Sequence, residues 1–260
     1  KRVHLVSFSR NFGKEAALYA GLEKAKGDYI ARMDADDISL PERFQKQVSY
    51  LDAHLDVAVL GTAVEIFGEG MSSQIRQLSQ MPEQMKVDLF FSCGLAHPSV
   101  MMRTDVIKEL GGYDCAFEGM EDYELWCRVS RDYQIAALPE VLFRYRIHPS
   151  QVTKNPTEKY RTQMRNLKKC QLEELGVETG GEMEEIFFRY CLGEQFADAG
   201  DILSFCAFLK IVLDANTSIH CYDAGVLCST FKTLASNLAI RLNHEQAGQL
   251  CRSSCLISRW

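Results

Sequence analysis

The sequence predicts an α/β domain with a mostly parallel sheet over residues 1–153, followed by an all-helical region over residues 154–260. Short apolar runs alternate with segments of helical periodicity in the first half, as is typical of strands joined by crossover helices. After Asn155-Pro156 the pattern is helical only. The 260 residues also suffice for a domain of about 150 residues with a smaller one beside it.

Strand-like and helix-like segments follow one another in order within the first half. The apolar run Val3–Phe8 predicts a strand, and Lys14–Lys26 predicts the helix after it. Tyr29–Met33 predicts the next strand, and Ser39 with Glu42 has the spacing of a capping box at the start of a second helix. Further strands are expected at Val57–Leu60, Ser99–Arg103 and Val141–His148, and further helices at Glu83–Phe91 and Glu121–Arg131.

Composition and charge narrow the classes of function. Acidic residues outnumber basic ones, 35 against 29, so the net charge of −6 leaves no broad basic surface of the kind that binds nucleic acid. The longest segment without a charged residue, Leu89–Met102, is shorter than the ~20 residues of a spanning helix, and we expect the chain not to cross a membrane. The ten cysteines form no C-x-x-C pair, which favours reduced thiols in the cytoplasm over disulfides or zinc.

Asp34, Asp36 and Asp37 form the densest acidic cluster, directly after the predicted strand Tyr29–Met33. In α/β sheets, ligands bind beyond the carboxyl ends of strands. Packed carboxylates repel one another, and a Mg²⁺ or Mn²⁺ ion that also binds substrate phosphates relieves this repulsion. The alternative is a loop of helix-capping aspartates, and a D-x-D pattern by itself does not decide between the two.

Three further clusters carry side chains suited to catalysis or to phosphate binding. Glu121 and Asp122 open a predicted helix, where carboxylates either complement the helix dipole or supply a general base. Arg146 and His148 end the last predicted strand, and they suit a diphosphate, although a histidine there is commonly structural. His97 lies in a predicted turn, where its alternative role is also structural.

Five motifs, in the same order along residues 10–153, resemble those of the family-two glycosyltransferases with the GT-A fold. The longest is the run from Gly27 to Gln47, which contains the acidic cluster. The others are His97-Pro98-Ser99-Val100-Met101, Gly112-Tyr113-Asp114, Glu121-Asp122-Tyr123-Glu124-Leu125-Trp126 and Tyr145-Arg146-Ile147-His148. Beyond Thr153 the resemblance is only to a generic helical tail.

The resemblance implies a one-step inverting transfer of a sugar from a UDP- or GDP-sugar to a saccharide or lipid-linked saccharide in cell-surface polysaccharide synthesis. It implies that Asp34 and Asp36 hold a Mg²⁺ or Mn²⁺ ion and the donor, with Asp37 behind them. Asp122 is then the catalytic base, and Glu121 orients it or the acceptor. The other implied roles are donor binding by Arg10, Asn11, Arg146 and His148, a place for His148 at the metal, and an acceptor side at His97 and Trp126.

Two departures from the family pattern leave alternatives open. The run Ser9–Ala17 is more similar to the polyprenyl-phosphate sugar transferases of the family, whereas the sequence from Ile38 onward is similar to the polysaccharide-building branch, which the longer match favours. The family's first two βα units would precede Lys1, so the resemblance implies a catalytic domain that is incomplete at its N-terminus. A non-catalytic, glycosyltransferase-like binding module is therefore a further alternative.

A basic stretch at the start of the helical region suggests a membrane contact. Six Lys and Arg residues lie between Lys154 and Lys169. Such a stretch attracts anionic lipid headgroups, which predicts a peripheral contact of a cytoplasmic protein with the inner face of the membrane. The alternative is a helix face exposed to water.

Overall fold

A computed structural model describes residues 3–148, 157–178 and 180–240. These residues form two compact units. The first contains the residues up to Tyr160 except Phe90–Ser92, and the second contains Phe90–Ser92 together with the described residues from Arg161 onward. The predicted boundary between residues 153 and 154 lies outside the described residues, so it stays a prediction.

The first unit combines a six-stranded sheet with helices. Its strands are β1 (Tyr29–Ala31), β2 (Ile38–Ser39), β3 (Val57–Gly68), β4 (Gln74–Arg76), β5 (Met101–Arg103) and β6 (Gln134–Ile147). Its helices are α1 (Lys14–Lys24), α2 (Arg43–Ala53), most of α3 (Pro82–Phe91), α4 (Thr104–Glu109) and α5 (Glu121–Asp132). The strand order is β1-β5-β3-β6-β2, and β4 pairs with the later half of β3.

The predicted α/β class is confirmed, but the prediction of a mostly parallel sheet is wrong for the described strands. The long β3–β6 pair is parallel, whereas the β1–β5, β2–β6, β3–β4 and β3–β5 pairs are antiparallel. The strands β2 and β5 have two and three residues and follow tight turns. The strand expected at Ser99–Arg103 is present as β5, whereas β2 was not expected. A short strand after a tight turn leaves no sequence signal of its direction, so the alternation of strands and helices did not predict the antiparallel pairs.

Two local predictions are also wrong. The run Val3–Phe8 pairs with no strand among the described residues, and Leu5 is 90% exposed. Ser39 lies in β2 and pairs with β6, while α2 begins only at Arg43 and has no side-chain cap. An apolar run needs a neighbouring edge before it becomes a strand, and a serine that belongs to a sheet cannot cap the next helix.

Two polar side chains of α2 donate hydrogen bonds to backbone carbonyl groups in or next to the strands of the first unit. Arg43 is 0% exposed and donates to the carbonyl oxygens of Arg32 at 2.9 Å and Val100 at 3.0 Å. Gln47 is equally buried and donates to two more carbonyl oxygens, on β3 and just before β5, at 2.8 and 3.0 Å. Because buried carbonyl groups without partners are costly, these bonds fix the end of β1 where the acidic cluster begins.

The second unit is helical throughout its described residues, as predicted. Its helices are α6 (Glu158–Glu174, from Arg161 on), α7 (Glu182–Cys191), α8 (Ala199–Ile219) and α9 (Ala224–Ala239). Aromatic rings form its core, where the Phe187 ring centroid lies 5.0 Å from that of Phe90 and 5.1 Å from that of Phe208. Lys168 is fully buried and donates to the Phe90 carbonyl at 2.7 Å.

Helix α8 passes a test of length and composition for a membrane span, with a mean hydropathy of 1.5. Inside the protein, 39% of that apolar window is buried. Core helices of water-soluble proteins pass the same test, so this is weak evidence for a span. The expectation that the chain does not cross a membrane stays a prediction.

Four of the five described cations of the basic stretch are buried or form ion pairs within the protein. Lys168 is buried, and three other cations form ion pairs with glutamates: Lys159, Arg161 and Arg165. Lys154 lies outside the described residues. Paired and buried cations are less available to lipid headgroups, so the predicted membrane contact gains no support here.

The eight cysteines in the described ranges are free thiols. Cys206 is buried, and burial raises its pKa to about 11, so it is an unreactive core residue. Cys251 and Cys255 lie outside the described residues.

Candidate functional site

The acidic cluster after β1 is a compact carboxylate triad. Asp34, Asp36 and Asp37 place one carboxylate oxygen each within 4.8 Å of one another. Asp34 forms an ion pair with Arg32, whose side chain is 7% exposed. Asp37 accepts the backbone N–H of Arg146 at 2.7 Å with one oxygen, whereas its other oxygen is buried without a hydrogen-bond partner.

The triad has the electrostatics of a divalent cation site. Burial raises the pKa of Asp37 to about 6, and the charges of Asp36 and Asp34 add to that rise. Three converging carboxylates, one with an unpartnered buried oxygen, are the hard oxygen ligands that Mg²⁺ and Mn²⁺ prefer. The residues present therefore fit a hard divalent ion.

The end of β6 lies against this triad. Arg146 donates its Nε–H to the backbone carbonyl of Asp36 at 2.7 Å, and its guanidinium lies 4.4 Å from the ring centroid of Phe67. His148 Nε2 lies 3.2 Å from Asp36 Oδ2. The antiparallel pairing of β2 with β6 thus brings together residues that are more than a hundred positions apart.

Glu121 and Asp122 occupy different environments at the start of α5. Glu121 is 0% exposed, its Oε1 lies 2.6 Å from Lys14 Nζ, and its Oε2 accepts the backbone N–H of Gly119 at 3.0 Å. The Asp122 side chain is 24% exposed. Burial raises the pKa of Asp122 to about 6, Glu121 adds to that rise, and Lys14 opposes it. Asp122 is therefore the carboxylate that reaches solvent and is ionised at neutral pH.

His97 lies beside Asp122 in the 3-10 turn before β5. Its Nε2 is 2.9 Å from the Tyr113 hydroxyl, and its Nδ1 is 4.0 Å from Asp122 Oδ2. Burial lowers the pKa of His97 well below its usual value, and the charges of Arg32 and Lys14 lower it further. The imidazole is therefore neutral at physiological pH, and it cannot act there as a cation.

Trp126 supports this histidine from within the protein. Its side chain is 0% exposed, and the centroids of its ring and the His97 ring are 5.9 Å apart at an angle of 78°. An edge-to-face contact of this kind fixes the orientation of both rings. Trp126 therefore presents no face to solvent, and its predicted place on the acceptor side stays a prediction.

Arg32 interacts electrostatically with the acidic triad and with His97 beside Asp122. It pairs with Asp34 of the triad, and its charge lowers the pKa of His97 beside Asp122. One buried guanidinium thus interacts with a predicted metal residue, Asp34, and with His97.

Arg10 and Asn11 have local contacts. Arg10 lies over the Phe12 ring at 4.7 Å, and Asn11 Oδ1 accepts the Gly13 N–H at 2.9 Å. Both residues are exposed, and among the described residues no contact joins either to the triad. Their predicted role at the donor stays a prediction.

Sequence reasoning assigned no role to Lys14, Arg32 or Arg43, although each is charged and contributes to the site or its support. The signal for Arg43 is its spacing of four from Gln47, which places two polar residues on one face of α2. Arg32 stands two residues before Asp34, within a strand-like segment where a cation is unexpected. Nothing local marks Lys14 as the partner of Glu121.

Comparison with known proteins identifies relatives of the first part of the chain. Residues 1–111 match the family described as "Glycosyl transferase family 2". The amylovoran biosynthesis glycosyltransferase AmsE of Erwinia amylovora is 36% identical over 151 residues, which is 58% of this chain and 56% of that protein. The O-antigen biosynthesis glycosyltransferase WbnJ of Escherichia coli is 36% identical over 149 residues, 55% of this chain and 57% of that protein. The chain spans about half the length of these curated relatives.

Solved structures were also matched. S. aureus TarS 1-349 in complex with UDP-GlcNAc is 14% identical, with a TM-score of 0.45, over 75% of this chain and 60% of that one. The mannosyltransferase PcManGT from Pyrobaculum calidifontis in complex with GDP-Man and Mn²⁺ is 16% identical, with a TM-score of 0.42, over 98% of this chain and 67% of that one. Over its first part, this chain is therefore similar to proteins of glycosyl transferase family 2.

Proposed function

We propose that this chain carries the metal and base residues of an inverting, metal-dependent glycosyltransferase of cell-surface polysaccharide synthesis. The observation that carries the proposal is that Asp122, a carboxylate that reaches solvent, lies beside the neutral His97. Arg32, whose charge lowers the pKa of His97, also pairs with Asp34 of the triad that fits a divalent ion. The match of residues 1–111 to the family supports sugar transfer. The names of the relatives, which refer to amylovoran and O-antigen biosynthesis, support a polysaccharide product.

The donor in this proposal is a UDP- or GDP-sugar. Asp34 and Asp36, with His148, would hold Mg²⁺ or Mn²⁺, and Asp37, which has an unpartnered buried oxygen, would add a third carboxylate to the site. The bound ion would supply stabilisation of the negative charge on the departing diphosphate. Arg146 adds positive charge at the same place, since its Nε–H donates to Asp36.

Asp122 is the base in a single displacement. Its carboxylate takes the proton of an acceptor hydroxyl, whose oxygen forms a bond to the anomeric carbon of the donor sugar. The bond from that carbon to the phosphate oxygen breaks, and its electron pair leaves with the nucleoside diphosphate. A pKa of about 6 suits this role, because the group is ionised at neutral pH and yet more basic than an ordinary aspartate.

Glu121 and His97 serve Asp122 in different ways. Glu121 is fully buried and bonded to the Gly119 N–H, so it orients the first turn of α5 rather than exchanging protons with solvent. His97, held by Tyr113 and Trp126, gives the acceptor side a neutral polar edge.

The acceptor is a saccharide or a lipid-linked saccharide, and the reaction takes place in the cytoplasm. The free thiols of the eight described cysteines support a reducing compartment. Contact with the inner face of the membrane stays a prediction.

Calorimetry and transfer assays test this proposal. Wild type is expected to bind UDP or GDP more tightly with Mn²⁺ than without it, and Asp36→Asn is expected to lose that dependence. Transfer from a panel of UDP- and GDP-sugars to saccharide acceptors is expected for wild type and for Asp132→Asn, an exposed change at the other end of α5. Asp122→Asn is expected to bind nucleotide normally and to lose transfer, by about a hundredfold or more.

Other outcomes overturn parts of the proposal. Equal turnover by Asp122→Asn rejects this residue as the base. Transfer only to a polyprenyl phosphate rejects the saccharide acceptor in favour of the other branch of the family. Manganese-dependent nucleotide binding without transfer to any acceptor favours a binding module.

A further inference from the structure

We propose that Lys14 is a positioning residue for the catalytic base, acting through its ion pair with Glu121; this inference rests on the proposed function of Asp122. Lys14 opens α1, about a hundred residues before the carboxylate that it meets. The family resemblance and the reaction described above assign it no role.

The ion pair meets a requirement of the buried carboxylate. Glu121 is 0% exposed, and a buried charge without a counter-charge is costly. Lys14 Nζ lies 2.6 Å from Glu121 Oε1, and the Lys14 side chain is about half exposed, so one oxygen of the buried carboxylate faces the cation of a partly exposed side chain. Burial opposes the charge on Lys14, but the hydrogen bond and charge of Glu121 outweigh it and raise the pKa of Lys14. Lys14 therefore stays charged at neutral pH.

The turn before α1 places Lys14. Gly13 has a φ of +91°, which side chains other than glycine rarely adopt, and its N–H is held by Asn11 Oδ1 at 2.9 Å. This turn directs the chain into α1 at Lys14. The Asn-Phe-Gly-Lys sequence thus specifies a turn after which the first helical side chain, Lys14, reaches Glu121 beside the proposed base Asp122.

The pair acts on Asp122 by geometry and by charge. Glu121 also holds the Gly119 N–H at 3.0 Å, so it anchors the chain on which Asp122 is the next residue. The charged and titratable groups that face Asp122 come from several elements: Glu121 on α5, Lys14 on α1, His97 at 4.0 Å, and the hydroxyls of Tyr113 and Tyr160. Lys14 is the cation of this set, and its charge opposes the rise in the pKa of Asp122 that burial and Glu121 cause.

Kinetics of four variants of the full chain test the inference: Lys14→Met, Lys14→Arg, Glu121→Gln and the double variant Lys14→Met/Glu121→Gln. Lys14→Met is expected to lower kcat about tenfold or more and to change KM for the donor less than twofold, since the pair lies at the base. The acid limb of the pH profile of kcat/KM is expected to move up by about one pH unit. The reason is that the loss of the Lys14 cation beside Glu121 and Asp122 raises the pKa of Asp122. Lys14→Arg is expected to restore both values.

The double variant and a matched control separate positioning from general destabilisation. If Lys14 acts through Glu121, the double variant is no slower than Glu121→Gln alone. Lys24→Met changes an exposed lysine at the other end of α1 and is expected to behave as wild type. Additive losses, a KM effect without a kcat effect, or an acid limb that stays in place or moves down would each overturn the inference.

A carboxyl ¹³C titration of Asp122 reads the same effect without turnover. The pKa of Asp122 is expected to be higher in Lys14→Met than in wild type and to return in Lys14→Arg. If the titration shows this and wild type transfers no sugar, the proposed function fails and the contact of Lys14 with the Asp122 site stands. If wild type transfers sugar and the titration is unchanged, the inference fails alone.

Discussion

Replacing the proposed base by its amide is expected to make the folded protein more stable at neutral pH. Asp122 has a pKa of about 6 in the fold against 3.8 for an unperturbed aspartate, mainly because it is buried. At 1.36 kcal/mol for each pKa step, ionised Asp122 destabilises the folded protein by about 3 kcal/mol. Asp122→Asn removes that charge and keeps the oxygen that accepts the Tyr123 N–H at 2.9 Å.

The pH dependence gives the sign of this effect. The folded-state pKa of Asp122 is raised, so between about pH 4 and pH 6 the native state holds more protons than the unfolded state. The contribution of protonated Asp122 to the free energy of unfolding is therefore fully present below about pH 4, and it is lost as the pH rises through about 6. The free energy of unfolding of Asp122→Asn minus that of wild type should be near zero at low pH and should reach a plateau of about 3 kcal/mol at neutral pH.

Urea unfolding followed by tryptophan fluorescence measures this difference. Trp126 is fully buried in the first unit, one turn along α5 from Asp122, so it reports on the relevant part of the molecule. A Trp260→Phe background removes the other tryptophan of the sequence. Asp132→Asn, changed at an exposed position of the same helix, shows what the chemical replacement does by itself.

Two results would contradict the expected effect of the Asp122 charge. One is an Asp122→Asn protein that is no more stable than wild type at neutral pH. The other is a gain of the same size at every pH, which would assign the effect to something other than the charge.

Three other perturbations follow from the geometry. Arg43→Met leaves the Arg32 carbonyl without its side-chain donor and removes one of the two donors to the Val100 carbonyl, which keeps the Arg32 N–H. It should lower the free energy of unfolding by about 2–4 kcal/mol in the same urea assay, and a loss under 1 kcal/mol would contradict the role given to Arg43. Gly112→Ala combines a φ of +71° with a clash against Leu22, so it should destabilise the protein more than Gly111→Ala, where φ is +82° but the space is open. Backbone strain alone costs about 1 kcal/mol. Equal losses of the two variants in thermal unfolding would show that the clash is relieved. Mn²⁺ should raise Tm for wild type, by the equivalent of about 2.7 kcal/mol at a hundred times Kd, and should not do so for Asp36→Asn; the same shift in both would place the ion elsewhere.

Local pattern was enough to predict most elements that carry the site. The strand before Asp34, the helix that opens at Glu121 and the strand that ends near His148 follow from apolar periodicity and from charge at element ends. These signals are local because each element buries one face, whatever its neighbours are. The same logic failed at Val3–Phe8, where an apolar run meets no partner strand among the described residues.

Residue patterns along the chain were sufficient to predict the α/β class, the helical second part and the residue types gathered in the acidic triad and at the start of α5. The folded structure was needed to show that β2 runs antiparallel to β6, which brings His148 to Asp36, and that Lys14 meets Glu121. Strand direction and long-range ion pairs depend on which surfaces meet after the chain has turned. The spacing of apolar residues along one segment contains no information about its later neighbours. The separate environments of Glu121 and Asp122 have the same origin, because burial and charge from distant elements set the pKa of neighbouring carboxylates.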